Sequence, residues 1–116
     1  MSDVTESCLF CRIVRRDIPA AVVWEDEQAL AFNDIDPKAP VHVLVIPKRH
    51  VSSLNEATDA RLLGHLLLAA REIAEGEGIS DDGYRTVINT NAGAGQTVFH
   101  LHVHLIGGRQ LNWPPG

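Results

Sequence analysis

Phe99-His100-Leu101-His102-Val103-His104-Leu105-Ile106, a stretch near the end of the chain, places a histidine at every second position. Because a β-strand sends alternate side chains to opposite faces, we predict a strand over residues 98–106. His100, His102 and His104 would share one face of it, with neighbours roughly 7 Å apart. The aliphatic residues between them would face a hydrophobic core. Three imidazoles on an apolar strand are costly unless each has a partner or a task, so the stretch predicts a functional site.

Upstream of this stretch, four short hydrophobic segments bounded by polar residues, Gly or Pro are predicted to be strands. They cover residues 20–25, 29–33, 41–46 and 84–89. A short helical turn is predicted over residues 12–17, and it ends before Ile18-Pro19 because a residue that precedes proline disfavours the helical region.

One long helix is predicted from Thr58 or Asp59, either of which can cap it, to Gly76, with Gly78 just beyond its end. Its apolar residues recur at i, i+3 and i+4 and make one broad face. They are Leu62, Leu63, Leu66, Leu67, Ala70, Ile73 and Ala74. Strands with a single long helix between the third and fourth indicate an α+β fold, because a parallel sheet needs a helix after nearly every strand.

Composition limits the classes of protein that the chain can belong to. Its 116 residues suffice for one domain, predicted over residues 8–116 after a polar tail at residues 1–7. Binding of long polynucleotides is disfavoured by a net charge of −5 and by basic residues that occur only as isolated pairs. We see no apolar run of the ~20 residues that span a bilayer and no secretory signal, so we expect a cytoplasmic protein.

The two cysteines form the motif Cys8-Leu9-Phe10-Cys11. In a reducing compartment such a pair is either a redox couple or half of a metal site. The redox interpretation needs a strand before the motif, and only a polar tail precedes Cys8. The residues therefore favour metal, for which two further ligands are required.

A loop rich in glycine precedes the histidine stretch, at residues 89–97. Glycine permits backbone conformations that aim successive N–H groups at one oxyanion. Alone, such a loop is most often a plain connection; beside three histidines it is a candidate phosphate-binding loop.

The histidine stretch fits the signature of the histidine-triad (HIT) superfamily, which is H-φ-H-φ-H-φ-φ with φ hydrophobic. Four further segments resemble the HINT branch of that family: Ile18-Pro19-Ala20, Ala31-Phe32-Asn33-Asp34-Ile35, Val45-Ile46-Pro47-Lys48-Arg49-His50 and the tail at residues 107–116. The resemblance implies a HIT-like antiparallel sheet of about five strands, with one long helix and a short N-terminal helix, in a homodimer. It also implies hydrolysis of purine nucleoside 5′-phosphoramidates (AMP or GMP derivatives) to a nucleoside monophosphate and an amine.

The resemblance assigns the chemistry to four residues. His102, the middle histidine, is the nucleophile that attacks the α-phosphorus and forms a nucleotidyl-histidine, and we expect a backbone carbonyl to hold its other ring nitrogen. His104 contacts phosphate oxygens or passes a proton to the leaving amine. His42 lies near the nucleophile, with a catalytic role and a structural hydrogen bond equally open. Thr97 stands where the branch usually has a serine that contacts the amine.

For the nucleotide, the resemblance implies contacts from both ends of the chain. The apolar walls of the base pocket would be Phe10, Ile18 and Ile35, and the ribose hydroxyls would bind Asp34. Besides His102 and His104, the phosphate would contact Asn89, Gly95, Gln96 and Thr97. Trp113 would reach the site from the partner subunit. The tail departs from the branch at Asn112, where a histidine is common.

The resemblance also supplies the missing metal ligands. Family members that carry the cysteine pair usually bind zinc through four residues, which correspond to Cys8, Cys11, His50 and His100 in this sequence. Two thiolates and two imidazoles make a closed tetrahedral set, which is structural because no position remains for water.

Three alternatives stay open at this stage. One is a zinc hydrolase whose metal is held by His100, His102 and His104, since H-x-H on a strand is a catalytic ligand pattern. Another is a nucleotide-binding partner protein with little catalysis. A third is a secreted module with a disulfide, against which the missing signal argues. His65 lies on the polar side of the long helix and is given no function.

Overall fold

The computed structural model describes residues 4–116, so the first part of the predicted tail, residues 1–3, lies outside the described residues. Three α-helices are present within them: α1 (Val4–Ser7), α2 (Leu9–Val14) and α3 (Ala60–Gly76). Five strands are present: β1 (Val22–Glu25), β2 (Ala29–Asn33), β3 (Val41–Pro47), β4 (Tyr84–Val87) and β5 (Val103–Gly107). They form one antiparallel sheet in the order β1-β2-β3-β5-β4, which confirms the α+β prediction.

Strands β2 and β3, in the interior of the sheet, are buried on both of its faces. Alternate residues point in opposite directions along a strand, so the two faces contribute to two clusters. One cluster, against α3, includes Ala31, Val43, Val45 and Leu66. The other, against α2, consists of Phe10, Ile13, Leu30, Phe32, Leu44 and Ile46. The short N-terminal helix is therefore packed directly onto the sheet.

Helix α3 begins and ends as its sequence predicts. The Oδ1 atom of Asp59 accepts hydrogen bonds from the backbone N–H groups of Arg61 and Leu62, at 3.0 and 3.2 Å. Beyond the last turn, Gly78 has a φ of +75°, a left-handed conformation that glycine adopts without steric cost. The prediction that Leu67 belongs to the buried apolar face was wrong, because this side chain is 45% exposed.

The strand predicted over residues 98–106 is shorter than expected and begins only at Val103, which pairs with Val45. The preceding segment leaves the sheet because its polar groups bond elsewhere: the N–H of Leu101 donates to the carbonyl of Val51 at 2.6 Å. The prediction that the three histidines share one strand face was therefore wrong. His104 lies in β5, and His100 and His102 lie in the irregular segment that enters it.

The other boundaries shift by a few residues. The helical turn predicted over residues 12–17 occurs earlier, as α2, because Arg16 adopts a φ of +68° that no α-helix continues through. Strand β1 starts two residues late and β4 stops two residues early, whereas β3 extends to Pro47. Within residues 4–116, no helix has the length and apolar character needed to cross a membrane.

Candidate active site and metal centre

His102 is buried where the segment after the glycine-rich loop enters β5. Its Nδ1 lies 2.7 Å from the backbone carbonyl oxygen of His100, to which Nδ1–H donates a hydrogen bond. Such a bond fixes the tautomer and leaves a lone pair on Nε2. Burial lowers the pKa of His102, which keeps the imidazole neutral near pH 7. A backbone carbonyl was expected to hold this ring, and His100 provides it.

Phe10 orients the same ring from α2. Its ring meets His102 edge-on, with centroids 5.1 Å apart and planes at 81°. It also packs edge-on against Phe32 of β2, at 5.3 Å. With only 4% of its surface exposed, Phe10 is part of the core as well as a neighbour of His102.

A chain of hydrogen bonds links β3 to β5 beside His102. The backbone N–H of Lys38 donates to Nδ1 of His42 at 3.0 Å, and Nε2 of His42 lies 2.9 Å from Nδ1 of His104. Since Nδ1 of His42 accepts, the proton of a neutral His42 resides on Nε2 and is donated to His104. A neutral His104 then carries its own proton on Nε2.

Both imidazoles in this chain are neutral at pH 7. Burial lowers the pKa of His104 to about 4, assisted by the neighbouring His102 and His42. Burial also lowers the pKa of His42, partly opposed by Asp34, whose Oδ2 is 3.4 Å from Nε2 of His42. The site thus places a proton donor, His104 Nε2–H, beside His102, whose ring centroid is 5.0 Å away.

A second cluster contains Cys8, Cys11, His50 and His100, and it meets His102 through the backbone carbonyl of His100. The Nδ1 atom of His100 is 3.3 Å from Cys8 Sγ and 3.5 Å from Cys11 Sγ, and Nδ1 of His50 is 3.2 Å from Cys11 Sγ. In a tetrahedral zinc site the Zn–S and Zn–N bond lengths imply S···N separations of about 3.5 Å. The four residues therefore fit a closed zinc centre.

The backbone around the cluster supports the same interpretation. The Nε2 atom of His100 lies 2.8 Å from the carbonyl oxygen of Pro47, so Nε2–H donates and the lone pair of Nδ1 faces the two sulfur atoms. Histidines that bind metals usually hold their second nitrogen in this way. His100 is fully buried, and its own carbonyl accepts from His102. One residue thus joins the cysteine–histidine cluster to His102.

Two other metal arrangements are not supported. The triad histidines do not converge on one point, because His100 faces the cysteines, His102 a carbonyl and His104 the ring of His42. Asp34, His42 and His104 do have potential ligand atoms close together. However, the amide of Lys38 occupies the nitrogen of His42 that a metal-bound imidazole would need to protonate.

The residues predicted to contact the base do not all gather in one pocket. Ile18 is half-buried and packs beside Phe10 in the cluster under α2. Ile35 is fully exposed, at 101%. Asp34 contacts one of the histidines: its Oδ1 accepts the backbone N–H of Asp36 at 2.8 Å, and its Oδ2 faces His42.

The predicted phosphate loop is braced by one of its own residues. The side chain of Gln96 accepts the N–H of Asn91 at 2.8 Å and donates to the carbonyls of Ser52 and Val98 at 2.8 and 3.1 Å. Its backbone N–H donates to Asn91 as well. In this conformation Gln96 has no donor left for a phosphate, contrary to expectation, and it shapes the loop. Gly95, with a φ of +92°, is exposed, and Asn89 is half-buried.

The last two predicted contacts lie at the surface. Thr97 is exposed and lines a cleft of about 370 Å³ together with Cys8 and His50. Trp113 is 82% exposed in the C-terminal tail, where Arg85 donates to the carbonyl of Asn112 at 2.9 Å. His65, given no function from the sequence, bonds to Asp26 with 2.6 Å between Nε2 and Oδ2.

Sequence analysis missed two groups, both in the backbone. The amide of Lys38 decides where His42 holds its proton, and the carbonyl of Pro47 decides which nitrogen of His100 faces the cysteines. Neither has a signature, since every residue except proline has the same N–H and every residue has the same C=O.

Comparison with known proteins gives a consistent result. The sequence model of the HIT domain family matches residues 15–111. A HIT-like protein of Synechococcus elongatus is 56% identical over 115 residues, which are 97% of this chain and 100% of that protein. A solved HIT family hydrolase from Legionella pneumophila is 52% identical with a TM-score of 0.92, over 94% of this chain and 99% of that one. A zinc-bound histidine triad family protein from Mycobacterium smegmatis is 37% identical with a TM-score of 0.82, over 90% and 77%.

Proposed function

The chain belongs to the HIT domain family, and from this premise we propose that it hydrolyses the P–N bond of purine nucleoside 5′-phosphoramidates. The reaction proceeds through a covalent nucleotidyl intermediate on His102. The observation that carries the proposal is the fixed tautomer of this buried imidazole, whose Nδ1–H is bound and whose Nε2 lone pair is available. Family membership and the hydrolase from Legionella pneumophila support the reaction class.

The first step is displacement at the α-phosphorus. The lone pair on Nε2 of His102 forms an N–P bond while the P–N bond to the amine breaks. The departing nitrogen takes the proton from Nε2 of His104, so that the amine leaves neutral. His104 is suited to this task because its hydrogen bond with His42 keeps a proton on Nε2 without a positive charge.

The second step is hydrolysis of the intermediate. Water attacks phosphorus, the bond to His102 breaks, and the nucleoside monophosphate leaves. His104 Nε2, which has lost its proton, accepts one from the water and is restored. Splitting the displacement into two steps through a covalent intermediate lowers each barrier.

Substrate binding follows from the surroundings of these two residues. Phe10 and Ile18 supply the apolar surface for the purine base, and the carboxylate of Asp34 accepts from the ribose hydroxyls. Ile35 is fully exposed and adds apolar surface only if a bound base or a partner subunit covers it. We assign the phosphate to His102, His104 and the backbone of the glycine-rich loop.

Zinc has a structural role in this proposal. Cys8, Cys11, His50 and His100 would hold it, and the ion would fix the start of α2 beside the catalytic segment. The fit of the four ligand atoms and the zinc-bound relative from Mycobacterium smegmatis support this assignment. Thiolate ligands need a reducing compartment, which is consistent with the proposed cytoplasmic location.

A homodimer completes the proposal. Strand β4 is an edge of the sheet, so one row of its backbone groups is available for pairing with a second copy. Trp113 and Leu68 are 82% and 62% exposed, and such large apolar surfaces are typical of residues covered by a partner. Light scattering at micromolar concentration should give twice the mass of the chain.

Turnover of adenosine 5′-phosphoramidate tests the proposed reaction. We expect the wild type to release AMP and His102→Ala to be slower by about 10³-fold or more, as for other lost nucleophiles. Acid quenching during turnover should trap one nucleotidyl group on the peptide that contains His102. His65→Gln, which replaces a histidine bonded to Asp26 outside the site, serves as the matched control. Equal turnover by wild type and His102→Ala, or AMP binding without turnover, would show that the protein is a different enzyme or a nucleotide-binding partner.

A further inference from the structure

The cysteine pair differs in accessibility in a way that the metal site alone does not require. Cys8 is partly exposed and lines the cleft of about 370 Å³ with His50, Ser52 and Thr97. Cys11 is only 5% exposed. A small polar molecule that enters the cleft therefore meets Cys8 before Cys11.

The two thiols are also close enough to react with each other. Their Sγ atoms lie within 4.8 Å, and both are in contact with Nδ1 of His100. Cys8 caps α2 and Cys11 is in its first turn, so their Cα atoms are about one helical turn apart, roughly 5 Å, as disulfides require. Side-chain rotation is then sufficient to form the bond.

We propose that Cys8 and Cys11 are a peroxide-sensitive pair in which a hydroperoxide oxidises Cys8 and Cys11 then closes a disulfide. The thiolate of Cys8 attacks the peroxide, the O–O bond breaks, and Cys8 becomes a sulfenic acid while hydroxide or an alkoxide leaves. The thiolate of Cys11 attacks this sulfur and expels the second hydroxide. Two electrons pass from the thiolates to the peroxide, so no further oxidant is required.

Oxidation has a consequence at the zinc centre, and this part rests on the zinc centre proposed above. Since the thiolate is the form of cysteine that binds metal, a disulfide removes two of the four ligands. The remaining pair, His50 and His100, would not retain the ion. His100 keeps its hydrogen bond to Pro47 and its ring contact with Phe10, and loses only the link to α2 that the metal would supply.

The test begins with the reduced, full-length protein, whose zinc content is measured by native mass spectrometry. Hydrogen peroxide is then added with a chromogenic zinc chelator present, and the peptides are mapped. We expect a loss of two hydrogen masses across the peptide containing both cysteines and release of one zinc ion per chain. Reductant plus zinc should reverse both changes. Because the chain has only two cysteines, the disulfide is unambiguous.

The order of events is tested with single variants and dimedone, which traps sulfenic acids. Cys11→Ser should accumulate an adduct at Cys8, and Cys8→Ser should label at Cys11 at least about tenfold less. Equal labelling of the two variants would overturn the proposal. So would a wild-type protein whose thiols remain reduced in peroxide or are oxidised only to sulfinic acid. If the protein contains no zinc but still forms the disulfide, the proposed zinc centre fails and the thiol pair stands.

Discussion

The Nε2 atom of His42 lies 2.9 Å from Nδ1 of His104. The backbone amide of Lys38 donates to Nδ1 of His42, so the proton of a neutral His42 is on Nε2 and is donated to His104. The direction of this chain makes His104 a neutral donor at Nε2. In the proposed reaction this proton passes to the leaving amine, and the same nitrogen then accepts a proton from the attacking water, so one residue serves both steps. The proposed proton donor in this part of the site is therefore a pair of histidines.

Leaving groups that differ in basicity should reveal the role of His104. We expect His104→Ala to lower kcat/KM by about 10²–10⁴-fold for an alkylamine phosphoramidate, which needs a proton to depart. A nucleotide whose leaving group is a stabilised phenolate needs none and should lose far less. Parallel kinetics with both substrates measure the difference. Equal losses for both would assign His104 to phosphate binding.

Replacement of His42 should distinguish the effect of its hydrogen bond to His104 from the effect of its side-chain volume. His42→Leu removes the donor to His104, and we expect kcat to fall by about 10–100-fold with little change in KM, as for other groups that orient a catalytic residue. His42→Gln retains an N–H for His104 and should recover part of the loss. Steady-state kinetics and pH profiles of the two variants make the comparison. A glutamine variant no better than leucine would contradict the proton chain.

Asp34 should discriminate between ribose and deoxyribose. Its carboxylate can accept two donors from a vicinal diol, and we expect Asp34→Asn to raise KM for the adenosine substrate by roughly tenfold. For the 2′-deoxy substrate the increase should be smaller. Because Asp34 also faces His42, at 3.4 Å between Oδ2 and Nε2, the ratio of the two effects is the informative quantity. An identical rise for both substrates would place the ribose elsewhere.

The strands and the long helix could be predicted because their signals are local. Burial of Val43 and Val45 on one face and Leu44 on the other follows from the period of two in their strand. The point at which β5 starts could not be predicted in this way. It depends on the carbonyl of Val51, which binds the backbone of Leu101 from fifty positions away.

The candidate site, like the fold, could be predicted where the signal is local and not where it depends on contacts between distant residues. Histidine spacing indicated a cluster with chemistry, but the residues alone left the partners of the cysteine pair open, and only the family resemblance pointed to His50. The amide side chain of Gln96 can either donate a hydrogen bond to a ligand or stabilise the loop that carries it, and the sequence does not distinguish the two roles. Its three bonds within the protein decide for the brace, and such bonds depend on the packed fold.

Acid should destabilise the protein through His104. In the unfolded chain its pKa is about 6.5, and in the folded protein burial lowers it to about 4. Between these values the unfolded state binds more protons, so stability is complete above about pH 6.5 and falls as the pH decreases toward 4. After allowance for the partial exposure of the ring, we expect this group to account for about 1–2 kcal/mol.

Urea unfolding at pH 7.5 and 5.5 measures this effect, with chelator present so that metal loss does not contribute. His104→Gln cannot titrate, and its stability should therefore change less between the two pH values than that of the wild type. Identical pH dependence in both proteins would mean that His104 titrates alike when folded and unfolded.

Loss of one ligand should empty the zinc centre and loosen the fold. We expect His50→Ala to abolish bound zinc, because three ligands without a fourth leave an open site of much lower affinity, and to lower Tm by several degrees. His65→Gln replaces a histidine outside the cluster and should retain one zinc ion per chain. Metal analysis and calorimetry of the three proteins, each with and without chelator, provide the measurement. If chelator lowers the Tm of wild type and His50→Ala equally, the stabilising ion is bound elsewhere. If it lowers that of the wild type alone, Cys8, Cys11, His50 and His100 join α2 to the catalytic segment through a shared metal.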